Sequence, residues 1–525
     1  MNGALARWLR PLALSATLPA EAPPPDARAA TRSARSPRGG ARTGWRVSSL
    51  HLLLGILLLA AGLRLVGLAT FPFEQDELYT LRDALRVGEG NYFSVRPVYY
   101  VMQHLLLTFH PPTPFFMRLP PFVFGVAGVG LTWVLARRVF GTTAAHVAAL
   151  MVALSPWHLG ASQFARYYTL IYLLAAVLYL LLLRGVDEDR PRYFLLALLL
   201  FPLGALTHPT LLFPFAGVVL GLHLVSREGR PGLFWPSRRG WIYLWGPLLA
   251  AALLGFLALL LAGRTEAVWN KDGRGLAASL RLVPAMVQWM SPEIAAAAFA
   301  GMLFLLWRGR QSGDRRWAAI ALLGCISSVG ILLVLSFRTD VYADYAMSAL
   351  PLVYVSIGGF VQRVREAMAF GGRAFVLAAT FMLSIGVLPG TVSHLSDGTR
   401  FDFRPAYAFL EQHGGGHLVV GEPIVIQRHY APGLPRFEEP RMNAGYFLET
   451  LERTGGFWYV GSYRRYGLLL DDGTVEPWVD AHCRKVLQTE RPRLDFRTYR
   501  VELHWCGAGS PPIESLAGSV APAEP

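Results

Sequence analysis

Apolar runs about as long as a bilayer is thick recur along most of this chain, and they limit what it can fold into. A membrane-crossing helix needs about 20 predominantly apolar residues. Runs of that kind, a few of them shorter, fall at roughly 49–69, 117–136, 141–156, 166–184, 193–207, 209–225, 241–263, 292–307, 317–336, 345–362 and 374–390. In 525 residues that are 53% hydrophobic and only 16% charged, this is more apolar surface than a water-soluble core of such length can bury. The pattern predicts a mainly α, polytopic membrane bundle of about 11 transmembrane helices.

Charge sets the expected orientation. The net charge of +14 would suit a nucleic-acid partner if it lined one polar domain, but the arginines sit in short clusters between apolar runs. Arg137 and Arg138, Arg184 and Arg190, Arg227 and Arg230, Arg308 and Arg316, and Arg363 and Arg365 occupy alternate loops, while the other loops hold most of the acids. That is the positive-inside pattern for a cytoplasmic N-terminus, and no nucleic-acid partner is expected. Residues 1–46, with a PPP run and eight arginines, read as a disordered basic cytoplasmic arm. The membrane module is expected over 47–392. An odd number of spans puts the remainder of the chain outside, where 393–508 reads as a small extracytoplasmic α/β domain and 509–525 as a disordered tail. Within that domain HLVVGEPIVI and GGFWYVGS read as strands and FDFRPAYAFLEQHGGG as an amphipathic helix. Cys483 and Cys506 can pair there or remain free thiols, and the three cysteines have no metal-ligand spacing.

The first outward loop, 70–116, opens with FEQDELYT. Leu78, Leu81 and Leu85 recur at helical spacing, so 77–88 is expected as a helix lying on the membrane surface, with Asp76 as its N-cap and Glu77 complementing its dipole. A catalytic role for the two acids is compatible with that arrangement. Farther on, SVRPVYYVMQHLLLTFHPP carries Arg96 and His104, SPWHLGASQFARYYTLIYLL carries Arg166, ALTHPTLLFP carries His208, and SFRTDVYADYAMSALP carries Arg338, Asp344 and Tyr345. Singly, each reads as a snorkelling or topological residue. Together they form a polar cluster on the outward side.

The run LRLVGLATFPFEQDELYT resembles the end of the first span and the acidic loop of GT-C class membrane glycosyltransferases, especially the protein mannosyltransferase, aminoarabinose transferase and RgtA/B/C/D-like group. In that group an Asp-Glu pair opens the first outer loop. RPVYYVMQH, SPWHLGASQFARYYTLIYLL, LTHPT and FDFRPAYAFLEQHGGGHLVVGEP are similar to later segments of these proteins in the same order. The resemblance implies a GT-C fold, a polyprenyl-phosphate-linked sugar donor, and a lipid, polysaccharide or protein acceptor at the outer face of a bacterial cytoplasmic membrane. It implies Asp76 as general base with Glu77 beside it. Arg96, Arg166, Arg338 and His208 are then the groups expected on the donor phosphate, with His104 and Tyr345 as further site candidates, and inversion at the anomeric carbon is expected. No cofactor or structural metal is expected, although Asp76 and Glu77 can supply oxygen ligands to a divalent cation. Two positions depart from the pattern: Phe164 stands where relatives often carry an acid, and Asp344-Tyr345 where they often carry Arg-Tyr. A flippase for lipid-linked glycans and a non-catalytic assembly subunit are the competing readings.

Overall fold

The structure, a computed structural model, describes residues 48–508 except 90–95, most of 226–274, 309–311, 338–340, 422, 465–466, 469–473 and 496. The arm at 1–46, the tail at 509–525 and more than half of the expected span at 241–263 lie outside the described residues. The first half consists of α1 (Ser49–Leu65), α2 (Gln75–Leu85), α3 (Pro97–Phe109), α4 (Pro114–Phe140), α5 (Thr142–Leu154), α6 (Pro156–Ser162), α7 (Tyr168–Glu188), α8 (Pro191–Thr207) and α9 (Phe213–Val225). It continues with α10 (Gly275–Met290), α11 (Pro292–Arg308), α12 (Ser312–Ser336), α13 (Leu350–Ala367) and α14 (Gly372–Asp397). Proline opens α3, α4, α6, α8 and α11, at the position where its missing N–H leaves no bond unmade.

Five helices are long and apolar enough to cross a membrane, seven if each sharply bent pair is one span, and three shorter apolar helices accompany them. The chain is therefore a multi-pass membrane protein, with these spans among the described residues against the eleven expected. Leu50, Leu54 and Leu58 of α1 and Leu377, Phe381 and Met382 of α14 lie exposed, as lipid-facing side chains do. Close approach elsewhere depends on small residues: a Cβ on Gly217 of α9 would stand 1.9 Å from the Leu323 carbonyl oxygen of α12, so only glycine fits there.

One bend shows how the interior satisfies its polar groups. Pro156 breaks α5 from α6 at 62°, and a proline cannot donate to the carbonyl four residues back. Arg64, fully buried near the end of α1, fills the gap by donating to Ala153 O at 3.2 Å and Val152 O at 3.3 Å. It also donates to Ser162 Oγ at 3.0 Å and His158 Nδ1 at 2.8 Å. At one end of the bundle Arg138 meets Asp187 at 3.2 Å, Arg316 meets the same carboxylate, and Arg363 meets Asp314 at 2.8 Å. Loops expected on the same side thus do share one end.

Beyond α14 come α15 (Arg404–His413), α16 (Ile424–Tyr430), α17 (Ala444–Thr454) and α18 (Val475–His482). They pack around β1 (Val419–Gly421), β2 (Phe437–Glu438), β3 (Gly456–Arg464), β4 (Gly467–Leu468), β5 (Cys483–Thr489) and β6 (Tyr499–Gly507). The sheet runs β2-β1-β3-β6-β5, with β4 paired to β3; β1 is parallel to both neighbours, and β3, β6 and β5 alternate in direction. Two expectations need correction. Ile424–Ile426 of HLVVGEPIVI open a helix rather than extend a strand, because three apolar residues are too short a run for periodicity to discriminate and Pro423 ends the extended stretch. Leu78 of α2 is 2% exposed and clusters with Phe73, Met117, Ala165, Phe403, Ile426 and Trp458. Leu78 and Leu81 thus pack against the C-terminal domain, while Leu85 of the same face remains 57% exposed.

Cys483 and Cys506 face each other across β5 and β6 and form a disulfide. Replacing both by serine is expected to cost about 2–4 kcal/mol, read as earlier proteolytic opening of the C-terminal domain, with the bundle unaffected.

Candidate active site

The site is framed by Glu77. Helix α2 starts behind the N-cap Glu74, and the Glu77 carboxylate reaches back to accept from Glu74 N at 3.1 Å, one half of a capping box. Asp76, expected as the N-cap, is instead the second helical residue, because this reciprocal bond starts the helix two positions earlier. Glu77 is fully buried and accepts from Arg118 Nε and Nη2 at 2.8 Å each, from Arg400 Nη1 at 2.9 Å and from Ala165 N at 2.8 Å. Burial by itself would raise its pKa, but Arg118 and then Arg400 prevail and hold the carboxyl below its ordinary value. Arg118 spends its remaining donors on Leu68 O, Phe71 O and Pro72 O at 3.1, 2.9 and 2.8 Å. The turn leading into α2 is thereby fastened to α4.

Asp76, one residue earlier and about 100° around the helix, projects elsewhere. Its side chain is 45% exposed, and its Oδ2 lies 3.2 Å from Nη2 of Arg166. The other Arg166 terminal nitrogen, Nη1, donates to Thr80 Oγ1 at 3.2 Å, Asp76 O at 3.4 Å and Tyr100 OH at 3.5 Å. The guanidinium groups of Arg96 and Arg166 lie 4.9 and 5.2 Å from the ring centre of Tyr167, within cation–π range. Tyr167 stacks on His208 at 4.5 Å, and His208 lies 5.2 Å from the Tyr345 ring. Burial, and after it the charges of Arg96 and Arg166, hold the His208 imidazole well below its ordinary pKa. His208 is therefore a neutral ring in this cluster.

Five of the residues singled out in the sequence thus gather in one place: Asp76, Arg96, Arg166, His208 and Tyr345. Glu77 adjoins them but faces away, with its oxygens engaged. His104 stands apart, its Nδ1 donating to Ala84 O at 2.9 Å and tying α3 to α2. Arg338 lies outside the described residues. Among the described residues no three His, Cys, Asp or Glu side chains group as metal ligands, and a cation bridging Asp76 and Glu77 would have to displace Arg118 or Arg400. Of the departures, Phe164 stacks parallel to Tyr168 at 6.3 Å, and Asp344 accepts from Trp157 Nε1 at 2.7 Å. A cavity of about 590 Å³ lies between the end of α1 and the C-terminal domain, lined by Phe71, Arg400, Arg404 and Tyr499 among others. Asp76 and Arg166 are not in its wall.

Sequence reasoning missed Arg118, Arg400, Thr80, Tyr100 and Tyr167. Arg118 carried a usable signal, an arginine near the start of an apolar helix. Arg400 carried none, because its partner is 323 positions away.

Known proteins share this architecture. The sequence profile of the dolichyl-phosphate-mannose-protein mannosyltransferase family matches residues 96–259. ArnT from Cupriavidus metallidurans, in the apo state, superposes with a TM-score of 0.55 over 87% of this chain and 98% of its own, at 12% identity. The same protein bound to undecaprenyl phosphate gives 0.52 over 90% and 100%, at 13% identity. The apo oligosaccharyltransferase of Archaeoglobus fulgidus gives 0.51 over 85% and 73%, at 11% identity. The chain has the GT-C fold. No curated protein matches it in sequence. In this GT-C chain the family profile begins at Arg96 and spans Arg118, Arg166 and His208, whereas the acidic loop with Asp76 lies before it.

Glu77→Gln is expected to destabilise the protein by about 3–5 kcal/mol, since it leaves Arg118 and Arg400 buried opposite a neutral amide. The depressed pKa adds a pH signature. The stability that the carboxylate contributes is complete above the unfolded value of about 4.3 and is lost as pH falls towards and through the lower native value. Thermal melts from pH 7 downwards should therefore converge for wild type and Glu77→Gln at the acid end.

Proposed function

We propose that this protein is an integral-membrane glycosyltransferase that moves a sugar from a polyprenyl-phosphate donor to an acceptor hydroxyl at the outer face of the cytoplasmic membrane, with inversion. The observation that carries the reading is the pairing of a half-exposed carboxylate, Asp76, with a nearly buried guanidinium, Arg166, 3.2 Å away, beside a second cation, Arg96, on the same aromatic ring. The GT-C fold supports it, as does the undecaprenyl phosphate bound to ArnT.

In the proposed reaction Asp76 accepts the proton of the acceptor hydroxyl while its oxygen attacks the anomeric carbon from the side opposite the phosphate. The bond from that carbon to the phosphate oxygen breaks, and polyprenyl phosphate departs with the electron pair. A phosphate is already a stable anion on departure, so no second carboxylate is needed to protonate it, in contrast to a glycosidase. Phe164 in place of an acid is consistent with this. Arg166 and Arg96 meet the charge growing on the leaving phosphate. His208 and Tyr345, with Tyr167, supply an uncharged aromatic wall, and Glu77 positions the helix that carries Asp76. The polyprenyl tail stays in hydrocarbon while the phosphate sits at headgroup depth. The disulfide of the C-terminal domain suits an oxidising, extracytoplasmic location for that end of the molecule.

Mass spectrometry of lipid-linked and envelope glycans after deletion of the gene should reveal one missing sugar. Wild type should restore it and Asp76→Asn should lower the rate by about 10²- to 10⁴-fold. Normal restoration by Asp76→Asn, or movement of a lipid-linked glycan across the membrane without transfer, overturns the reading. Arg166→Gln should weaken binding of undecaprenyl phosphate about 10- to 100-fold, the worth of one charge-assisted hydrogen bond, measured by titration of the purified protein.

A further inference from the structure

Arginine and aspartate side chains tend to close into a two-pronged pair in which both carboxylate oxygens are taken by parallel N–H donors. A carboxylate engaged in that way has a lone pair of each oxygen tied to the cation and accepts a substrate proton less readily. Here the closest approach is that of Nη2 of Arg166 to Oδ2 of Asp76, at 3.2 Å. Nη1 is drawn aside to Thr80 Oγ1 at 3.2 Å and to the Asp76 carbonyl at 3.4 Å. The Thr80 hydroxyl spends its own proton on that same carbonyl at 3.0 Å, so its lone pairs face the guanidinium. Thr80 is fully buried, one helical turn after Asp76.

We propose that Thr80 is a positioning residue that keeps the Asp76–Arg166 pair one-pronged, and so leaves one oxygen of Asp76 outside the ion pair as the better acceptor for the substrate proton. This rests on the reading of Asp76 as the base. Tyr100, 3.5 Å from the same nitrogen, is too distant to hold it alone. Without the Thr80 hydroxyl, Nη1 loses the shortest of its three contacts, 3.2 Å against 3.4 and 3.5 Å, and is freed to turn towards the carboxylate that Nη2 already meets.

The test compares Thr80→Val, which keeps the shape of the side chain but not its hydroxyl, with Thr80→Ser, which keeps the hydroxyl. Each variant is expressed at equal membrane level in the deletion strain, and the rate at which the missing glycan reappears after induction is followed by mass spectrometry. Undecaprenyl phosphate binding is measured on the purified proteins. The expected result is a rate about tenfold lower for Thr80→Val, a part of the general-base contribution. Thr80→Ser should fall within about twofold of wild type, and both should bind undecaprenyl phosphate within about threefold of wild type, since both guanidinium groups remain. A normal rate for Thr80→Val, failure of Thr80→Ser to rescue, or loss of binding in parallel with the rate overturns the proposal. If Asp76→Asn abolishes transfer while Thr80→Val is normal, only the role of Thr80 falls. If Asp76→Asn transfers normally, the reading beneath it falls as well.

Discussion

Everything near the candidate site is held in relation to one buried carboxylate. Glu77 receives N–H donors from α4 through Arg118, from the segment before α7 through Ala165, from the stretch after α14 through Arg400, and from its own N-cap residue. Two cations and one anion out of water are costly, because desolvation opposes the attraction between them. The arrangement persists because nearly every donor of the two guanidinium groups also finds a backbone carbonyl. Such a node adds little net stability over a well-packed apolar core. What it does is fix four separate stretches of chain in one register.

The consequence for chemistry is a division of labour between adjacent acids. At 100° per residue, two consecutive helical side chains cannot both face the same partner. Glu77 turns inward to the arginines, and Asp76 is left half exposed beside Arg166. The structural acid thus sets the position of the exposed one. In the same way His208 is kept uncharged by burial and by the two arginines near it, so among the described residues the positive charge of the cluster resides on Arg96 and Arg166.

The C-terminal domain belongs to this construction as well. Its apolar side is continuous with Phe73, Leu78 and Met117 of the first loop region, and Arg400 reaches Glu77 from its base. A domain that a sequence would treat as an appendage therefore forms one wall of the framework around the acidic loop. The disulfide between β5 and β6 stiffens the far edge of its sheet.

Much of this was legible in the sequence, for definite reasons. Twenty-residue apolar runs can satisfy their backbone in lipid only as helices, so the multi-pass class derives from composition and length. The amphipathic helix at Arg404–His413 and the strand at Gly456–Arg464 derive from periodicity and glycine punctuation. The candidates Asp76, Arg96, Arg166, His208 and Tyr345 were visible as polar groups at the ends of apolar runs. What the sequence could not carry was partnership across distance. That Glu77 belongs to Arg118 and Arg400, that α2 packs on a domain more than 300 residues later, that Ile424 opens a helix, and that Thr80 stands between Asp76 and Arg166 all depend on which surfaces meet when the helices pack. Local pattern encodes how each segment satisfies its own backbone. Only the assembled fold decides which buried charge finds which partner, since that is fixed by the geometry of the whole and not by any neighbour in the chain.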